Sequence, residues 1–176
     1  MTGTWILNRD LSDDFDSTFA LQGVPWALRK ILSFAGVSLH MTQTSSTPED
    51  NADGDPVVSI RVKQVVTPGG FSSEETYILD SQSRDSTVPI FGALSAHSKY
   101  LAIDEIPDET LKQRLADGNS ELVIQEFAES KISGWVTEGV WSFENVNGAR
   151  HFTRTNVTRN GDSQVVARLV YDWKQE

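Results

Sequence analysis

Apolar and polar residues alternate with a period of two along most of the chain after residue 56. In the segment 57–66, Val58, Ile60 and Val62 share one face, and the residues between them are polar. Because successive side chains of a strand point to opposite faces of a sheet, this pattern predicts a half-buried β-strand. The same alternation predicts further strands at 71–79, 88–103, 121–130, 135–146, 149–158 and 164–173. The chain is therefore predicted to be mainly β.

Turn residues separate the last of these strands, at Asn147-Gly148 and Asn160-Gly161. Such pairs supply the positive φ angles of two-residue hairpin turns, so the last three strands are predicted to form an antiparallel meander. A sheet with this many antiparallel strands usually removes its exposed edges by closing on itself. We predict one domain over residues 1–176, an antiparallel up-and-down β-barrel of about 8–10 strands.

Two short helical patterns precede most of these strands. Phe15 and Phe19 lie on one helical stripe, and Pro25 suits the start of a second helix. Three apolar residues of that second helix have the spacing of a single face and are expected to point inward: Leu28, Ile31 and Leu32. Because a closed barrel has an open end, we predict that the two helices form a helix-turn-helix lid over it.

A third helical pattern and one loop interrupt the strands. In the segment 106–118, Leu111 and Leu115 share a face and Gly118 suits a C-terminal cap, which predicts one extra short helix over a barrel edge or opening. The segment 44–56 is rich in acids and turn-forming residues without periodicity, so it is predicted to be a loop.

Composition excludes several classes of function. The formal net charge of -10 disfavours a surface that follows nucleic-acid phosphates. No apolar run is long enough for a membrane span, and no basic segment followed by an apolar one opens the chain, so a cytoplasmic protein is expected. The chain has no cysteine, and its 3 histidines are far apart in sequence, so we expect no metal site. No glycine-rich phosphate loop is found, and we expect no cofactor.

Several short motifs have the order that is typical of a known family. They are Gly3-Thr4-Trp5, Phe15-Asp16, Leu21, Gly23-Val24, Arg29-Lys30, and strands ending in Arg168 and Tyr171. This order resembles the intracellular fatty-acid-binding proteins of the lipocalin and calycin group, best over the first forty and last thirty residues. The overall pattern also resembles small lipocalin-like proteins of fungal secondary-metabolite pathways, some relatives of which are cyclases or pericyclases. Both resemblances imply a barrel that holds a small hydrophobic molecule.

The resemblance to fatty-acid binders implies a carboxylate clamp on the last strand. In that family an arginine and a tyrosine two residues apart both point inward, whereas here Arg168 and Tyr171 are three apart. Regular alternation puts them on opposite faces unless a bulge intervenes. A fatty acid is therefore not the first choice of ligand.

Polar residues on the apolar strands are the remaining candidates for chemistry. On strand 135–146 the alternation separates an aromatic face from Glu138 and Glu144, which are expected to face solvent unless the lumen is polar. On strand 149–158 only one of His151 and Arg154 can face inward. We predict catalytic roles for His151, Arg154, Arg168 and Glu138. We predict ligand contacts from Trp26, Gln64, Trp135, Trp141, Phe143 and Tyr171.

Two functions fit these features. The first is a carrier that holds an apolar molecule among aromatic side chains with one or two polar anchors. The second is a cofactor-independent cyclase or isomerase, which folds a flexible polyene or polyketide-like substrate and stabilises its developing charge with hydrogen-bond donors. The residues alone do not separate the two, and the resemblance to fungal pathway proteins favours the cyclase.

Overall fold

Ten antiparallel strands form one continuous sheet in the computed structural model of the chain, which describes residues 1–47, 56–115 and 120–174. The strands are β1 (Gly3–Asn8), β2 (Gly36–Ser46), β3 (Val57–Thr67), β4 (Phe71–Ile78), β5 (Arg84–Val88), β6 (Gly92–Ala102), β7 (Leu122–Ser130), β8 (Val136–Val146), β9 (Ala149–Asn160) and β10 (Ser163–Trp173). The helices are α1 (Asp16–Leu21), α2 (Trp26–Phe34) and α3 (Glu109–Leu115). None of the helices in this described part is long and apolar enough to cross a membrane.

The sheet has up-and-down topology, with its two ends at β4 and β5. Each strand pairs with its neighbours in sequence, except across that break, and β1 pairs with β10. The sheet curls until the segment after β4 reaches β6, where the Ser81 amide donates a 3.0 Å hydrogen bond to the Ser98 carbonyl. The predicted antiparallel barrel with a helical lid and one extra helix is confirmed.

One face of the sheet carries the main apolar core. Tyr77 on β4 and Trp141 on β8 belong to strands far apart in the sheet, yet their ring centroids are 4.6 Å apart, so this face is the concave one. We call it the inner face and the opposite one the outer face. The buried core residues of the inner face are Trp5, Leu39, Met41, Ile60, Val62, Ile124, Trp141, Phe152 and Tyr171.

The lid is a helix-turn-helix, as predicted, but α2 lies differently from the expectation. No residue of α2 is buried, and Ile31, which was expected to point inward, is 52% exposed. Polar contacts hold α2 instead: Arg29 pairs with Asp16 of α1, and the Arg9 guanidinium donates to the Leu32 and Ser33 carbonyls at the helix C-terminus. A cation at that end also suits the helix dipole.

Helix α3 covers the outer face of the sheet, not the barrel edge or opening that the sequence predicts. Leu111 and Leu115 are buried in a second apolar cluster with Val123, Val140 and Val157, which lie on β7, β8 and β9. Asp108 at the start of this helix pairs with Arg159. The middle of the sheet is therefore enclosed on both faces.

Two local differences concern strands and turns. The sequence pattern did not predict β5, because this edge strand pairs with β6 alone and most of its side chains are exposed, so nothing enforces alternation. The last hairpin turns at Gly161-Asp162, since Asn160 is paired with Ser163 and Gly161 has positive φ. Of the predicted loop at 44–56, the first three residues belong to β2, and residues 48–55 lie outside the described part.

Trp5 is expected to contribute more to stability than any exposed tryptophan. Its ring is buried against Phe143, Phe152 and Trp173, with centroid distances of 5.6, 5.4 and 4.8 Å. We predict that Trp5→Ala lowers the free energy of unfolding by about 3–5 kcal/mol, because it leaves a cavity in the core. Trp26→Ala, at a position that is 66% exposed, is the control. Equal losses in urea melts of the two variants would contradict this packing.

Candidate functional site

A polar centre lies in the middle of the apolar inner face, around Glu126 of β7. The Glu126 side chain is 7% exposed. One of its oxygens, Oε2, accepts a 2.9 Å hydrogen bond from the indole nitrogen of Trp141. The other, Oε1, accepts from Nε of Arg154 at 3.0 Å and also from Nη2 of Arg154. A buried carboxyl group is costly unless it is paired and hydrogen-bonded, and both conditions are met here.

Arg154 reaches this centre from β9 and retains one unused nitrogen. Its Nε and Nη2 bind Glu126, whereas Nη1 has no hydrogen-bond partner among the described residues. Burial alone would lower the pKa of Arg154, but the neighbouring Glu126 carboxylate outweighs it and raises that pKa above its ordinary value. The side chain is 27% exposed, and its guanidinium carbon lies 5.4 Å from the centre of the Trp141 ring. Arg154 is therefore a permanent cation with one donor nitrogen that no described residue engages.

Gly139 of β8 gives the Glu126 side chain its space. A Cβ atom at this position would lie 2.7 Å from Glu126 Oε1, 2.8 Å from Glu126 Cγ and 2.6 Å from Asn156 Oδ1. Its φ is not in the left-handed region, so the backbone does not require glycine here. Glycine is needed at this position because the Glu126 carboxyl group occupies the space that a Cβ atom would fill.

Two phenols and one amide also lie on the inner face. The Tyr77 hydroxyl donates to Glu75 Oε2 at 2.8 Å. The Tyr171 hydroxyl has no hydrogen-bond partner within the described ranges, and burial raises the pKa of Tyr171 to about 12 against the opposing attraction of Arg154. Tyr171 therefore stays a neutral hydrogen-bond donor at physiological pH. The Asn156 Oδ1 atom is buried without a partner among the described atoms.

The predicted site residues on the inner face include Arg154, Trp141 and Tyr171, and they meet in this centre. Phe143 also lies on the inner face and packs on Trp5 at the base of the barrel. Gln64 on β3 is paired with Leu39, and its side chain is half-buried on the same face.

Two further predicted ligand contacts lie towards the lid. Trp135 is buried against Phe91 just before β8, with ring centroids 5.8 Å apart. Trp26 begins α2 and is largely exposed. Neither residue contacts the polar centre.

The other three predicted catalytic residues lie on the outer face. His151 Nδ1 is 2.8 Å from Asp172 Oδ1, and Glu138 Oε1 accepts a 2.5 Å hydrogen bond from the Gln125 amide. Arg168 pairs with Glu144 at 3.3 Å. The unbroken pairing of β9 with β10 contains no bulge, so Arg168 and Tyr171 point to opposite faces as the alternation predicts.

Glu144 does not face solvent as expected. It is buried and also accepts hydrogen bonds from Ser142 and Thr153, so the outer face carries a polar network of its own.

Sequence reasoning missed Glu126, Gly139 and Asn156. One signal was available, because in the strand 121–130 the acid at position 126 has the same parity as the apolar residues Ile124 and Ala128. The importance of Gly139 depends on the neighbour opposite it on β7, which requires the strand register.

Two fungal proteins match nearly the whole chain. The probable pericyclase scpY of Mollisia scopiformis is 31% identical over 173 residues, which cover 96% of this chain and 87% of that protein. The chain belongs to its family. The pericyclase pydY of Acremonium sp is 26% identical over 172 residues, which cover 97% of this chain and 89% of that protein. No family model matches the sequence.

Solved structures with a similar fold share the barrel of this pericyclase-family chain. The fluorescent protein UnaG has a TM-score of 0.61 at 15% identity, with 99% of this chain and 97% of that chain covered. A Schistosoma mansoni fatty-acid-binding protein in complex with arachidonic acid has a TM-score of 0.57 at 16% identity, with 99% and 96% covered. At these identities the likeness concerns the fold. The predicted resemblance to fatty-acid-binding proteins and to fungal pathway cyclases is confirmed.

Gly139→Ala tests whether the glycine makes room for Glu126. The new methyl group must displace the carboxyl group or Asn156, so we predict a loss of about 1–3 kcal/mol in the free energy of unfolding. Gly36→Ala is the matched control, because this strand glycine has only one contact, at 3.6 Å. It is expected to change stability by less than about 1 kcal/mol. If denaturant melts give both variants the same midpoint, the Glu126 carboxyl group does not need the space that Gly139 leaves.

Tyr171→Phe tests the environment of the Tyr171 phenol. Because the folded-state pKa is raised to about 12, its contribution to stability is complete below pH 10 and is lost as the pH rises from 10 to 12. We predict that wild-type protein loses more unfolding free energy in this interval than Tyr171→Phe, whereas the difference between them is constant near neutral pH. Parallel curves up to pH 12 would contradict a buried phenol.

Proposed function

We propose that the protein is a cofactor-independent pericyclase, which binds a flexible unsaturated molecule inside the barrel and accelerates its ring closure. In such a reaction π electrons reorganise into new σ bonds within one molecule, with no leaving group, redox change or net proton transfer. The catalyst therefore needs no nucleophile. It needs a shaped enclosure and donors that polarise the substrate.

Two donors without a partner among the described residues, Arg154 Nη1 and the Tyr171 hydroxyl, lie on the same inner face, and this observation carries the proposal. Arg154 is paired with Leu169 across β9 and β10, so Tyr171 is its diagonal neighbour on the inner face, within reach of long side chains. Two such donors suit one carbonyl oxygen. A carbonyl conjugated to an alkene becomes more electrophilic when it accepts hydrogen bonds, which lowers the barrier to cyclisation.

Charge favours a neutral carbonyl over a carboxylate as the bound group. Glu126 already occupies two nitrogens of Arg154, and Glu75 adds a second carboxyl side chain to the same face. A fatty-acid carboxylate would have to compete with Glu126 for the cation and would meet two acids. The substrate class we infer is therefore a largely apolar polyene with a conjugated ketone, ester or amide.

Enclosure supplies the rest of the rate enhancement. Trp141, Phe152 and Tyr171 wall the polar centre, and rigid aromatic walls restrict a flexible chain to few conformations. The lid above contributes a hydrogen bond from Gln22 to Thr137 of β8.

We assign the protein to the cytoplasm, since the absence of cysteine suits a reducing compartment.

A synthetic linear trienone tests the activity. We expect wild-type protein to accelerate its intramolecular ring closure with multiple turnovers and to favour one stereoisomer, measured by chiral chromatography. Arg154→Met should lower kcat by about 100-fold, because it removes the main donor to the developing charge. Tyr171→Phe, which keeps the shape of the ring, should lower kcat by about 5-fold.

Arg61→Met is the matched control, because Arg61 is an exposed cation on the outer face of β3. It should retain wild-type kcat. Arg154→Lys is the second test variant, in case Arg154→Met misfolds because its buried Glu126 is left unpaired. It keeps the positive charge beside Glu126 but lacks the planar guanidinium group. Stoichiometric retention of unchanged trienone by wild-type protein would contradict the pericyclase and support a carrier.

A further inference from the structure

A cavity of about 140 Å³ lies at the end of the barrel away from the lid. It opens where the pairing of β7 with β8 stops: Ile124 is paired with Trp141, whereas Leu122 has no partner on β8. Across this gap, the Ser120 hydroxyl is hydrogen-bonded to the backbone carbonyl and amide of Phe143 on β8. The cavity is therefore a consequence of two strands that diverge.

The cavity offers a ligand mainly apolar side chains, because its polar lining groups are already hydrogen-bonded within the protein. Leu122, Ile124, Trp141 and Phe143 line it together with Tyr100 and Met1, whose ammonium group donates a 3.4 Å hydrogen bond to Gln43 Oε1. The serine hydroxyls that also line it are already engaged. Ser120 donates to the Phe143 carbonyl at 3.0 Å and accepts from its amide, and Ser142 bonds to Glu144 and Thr153 on the outer face. An occupant gains packing contacts here and few hydrogen bonds.

Trp141 connects this cavity to the polar centre. Trp141 is one of the lining residues, and its indole nitrogen donates to Glu126 Oε2. A molecule whose carbonyl group binds Arg154 would have to pass the Trp141 side chain to place a second group in the cavity. The mouth is open to solvent, since Leu122 is 63% exposed.

We propose that this cavity is a subsite for an uncharged apolar group of the substrate, about the size of a phenyl ring. Apolar cavities of about 150 Å³ accept benzene, which sets the size of the group. The link to the substrate rests on the proposed function, whereas the binding of an apolar group at this place does not. The subsite would position one end of the polyene while its carbonyl is held at the polar centre.

Benzene is the probe for the cavity itself. Of the 5 tryptophans, Trp141 is the one that lines the cavity in the described structure, so its indole N–H resonance is the reporter, assigned with Trp141→Phe. We expect benzene to shift this resonance and the Ile124 amide in a saturable way in proton–nitrogen correlation spectra. Leu122→Trp narrows the cavity and should weaken the affinity by about 10-fold or more. Ile124→Phe, which fills it from the inner side, should do the same.

Ile132→Trp is the control, because Ile132 is 71% exposed in the turn at the opposite end of β7 and β8. It should bind benzene like wild type. No saturable shift at Trp141, or equal affinity in wild type and Leu122→Trp, would overturn the subsite. Benzene binding requires no turnover, so failure of the proposed activity would leave this result intact.

A pair of trienones tests the link to the substrate, one with a terminal phenyl group and one with hydrogen in its place. The phenyl compound should displace benzene from the Trp141 reporter, and the other compound should bind without displacing it. Displacement by both compounds, or by neither while both bind, would overturn the assignment of the phenyl-sized group to this cavity.

Discussion

The arrangement of the barrel interior depends on one requirement, that the buried Glu126 carboxyl group be compensated. Both of its oxygens receive hydrogen bonds, from Trp141 on one side and Arg154 on the other. The same group requires a residue without a side chain opposite it, which Gly139 provides. A strand glycine, an inward arginine and an inward tryptophan on two adjacent strands are thus consequences of a single acid on β7.

That requirement also sets what the interior can bind. Arg154 is turned towards Glu126, which leaves only its Nη1 atom without a hydrogen-bond partner among the described residues. Its diagonal neighbour Tyr171 stays protonated at neutral pH because burial raises the pKa of this phenol to about 12. Fatty-acid-binding proteins share this barrel fold, but an arginine already paired with an internal acid suits a polarised carbonyl better than a carboxylate. One fold can therefore serve a carrier or a cyclase according to the side chains of its inner face.

The sequence predicted the sheet well because antiparallel strands with one apolar face alternate strictly, and the ladders on either side of β9 contain no bulge. Because of this alternation, the inward position of Phe152 is enough to place Arg154 on the inner face and His151 and Arg168 on the outer face. Two features were beyond reach. The role of Gly139 depends on which residue of β7 lies opposite it, and α2 is held by Arg9 and Arg29 through polar contacts that helical periodicity does not reveal.

The infrared carbonyl stretch of a bound, carbon-13-labelled enone tests the central claim most directly. Two donors at the carbonyl oxygen weaken the C=O bond, so the account predicts a band at lower frequency in wild-type protein than in an apolar solvent. The band should return towards the solvent value in Arg154→Met and remain at the wild-type position in Arg168→Lys, whose side chain lies on the outer face. A carbonyl band in wild-type protein at the frequency of the apolar solvent would contradict the account.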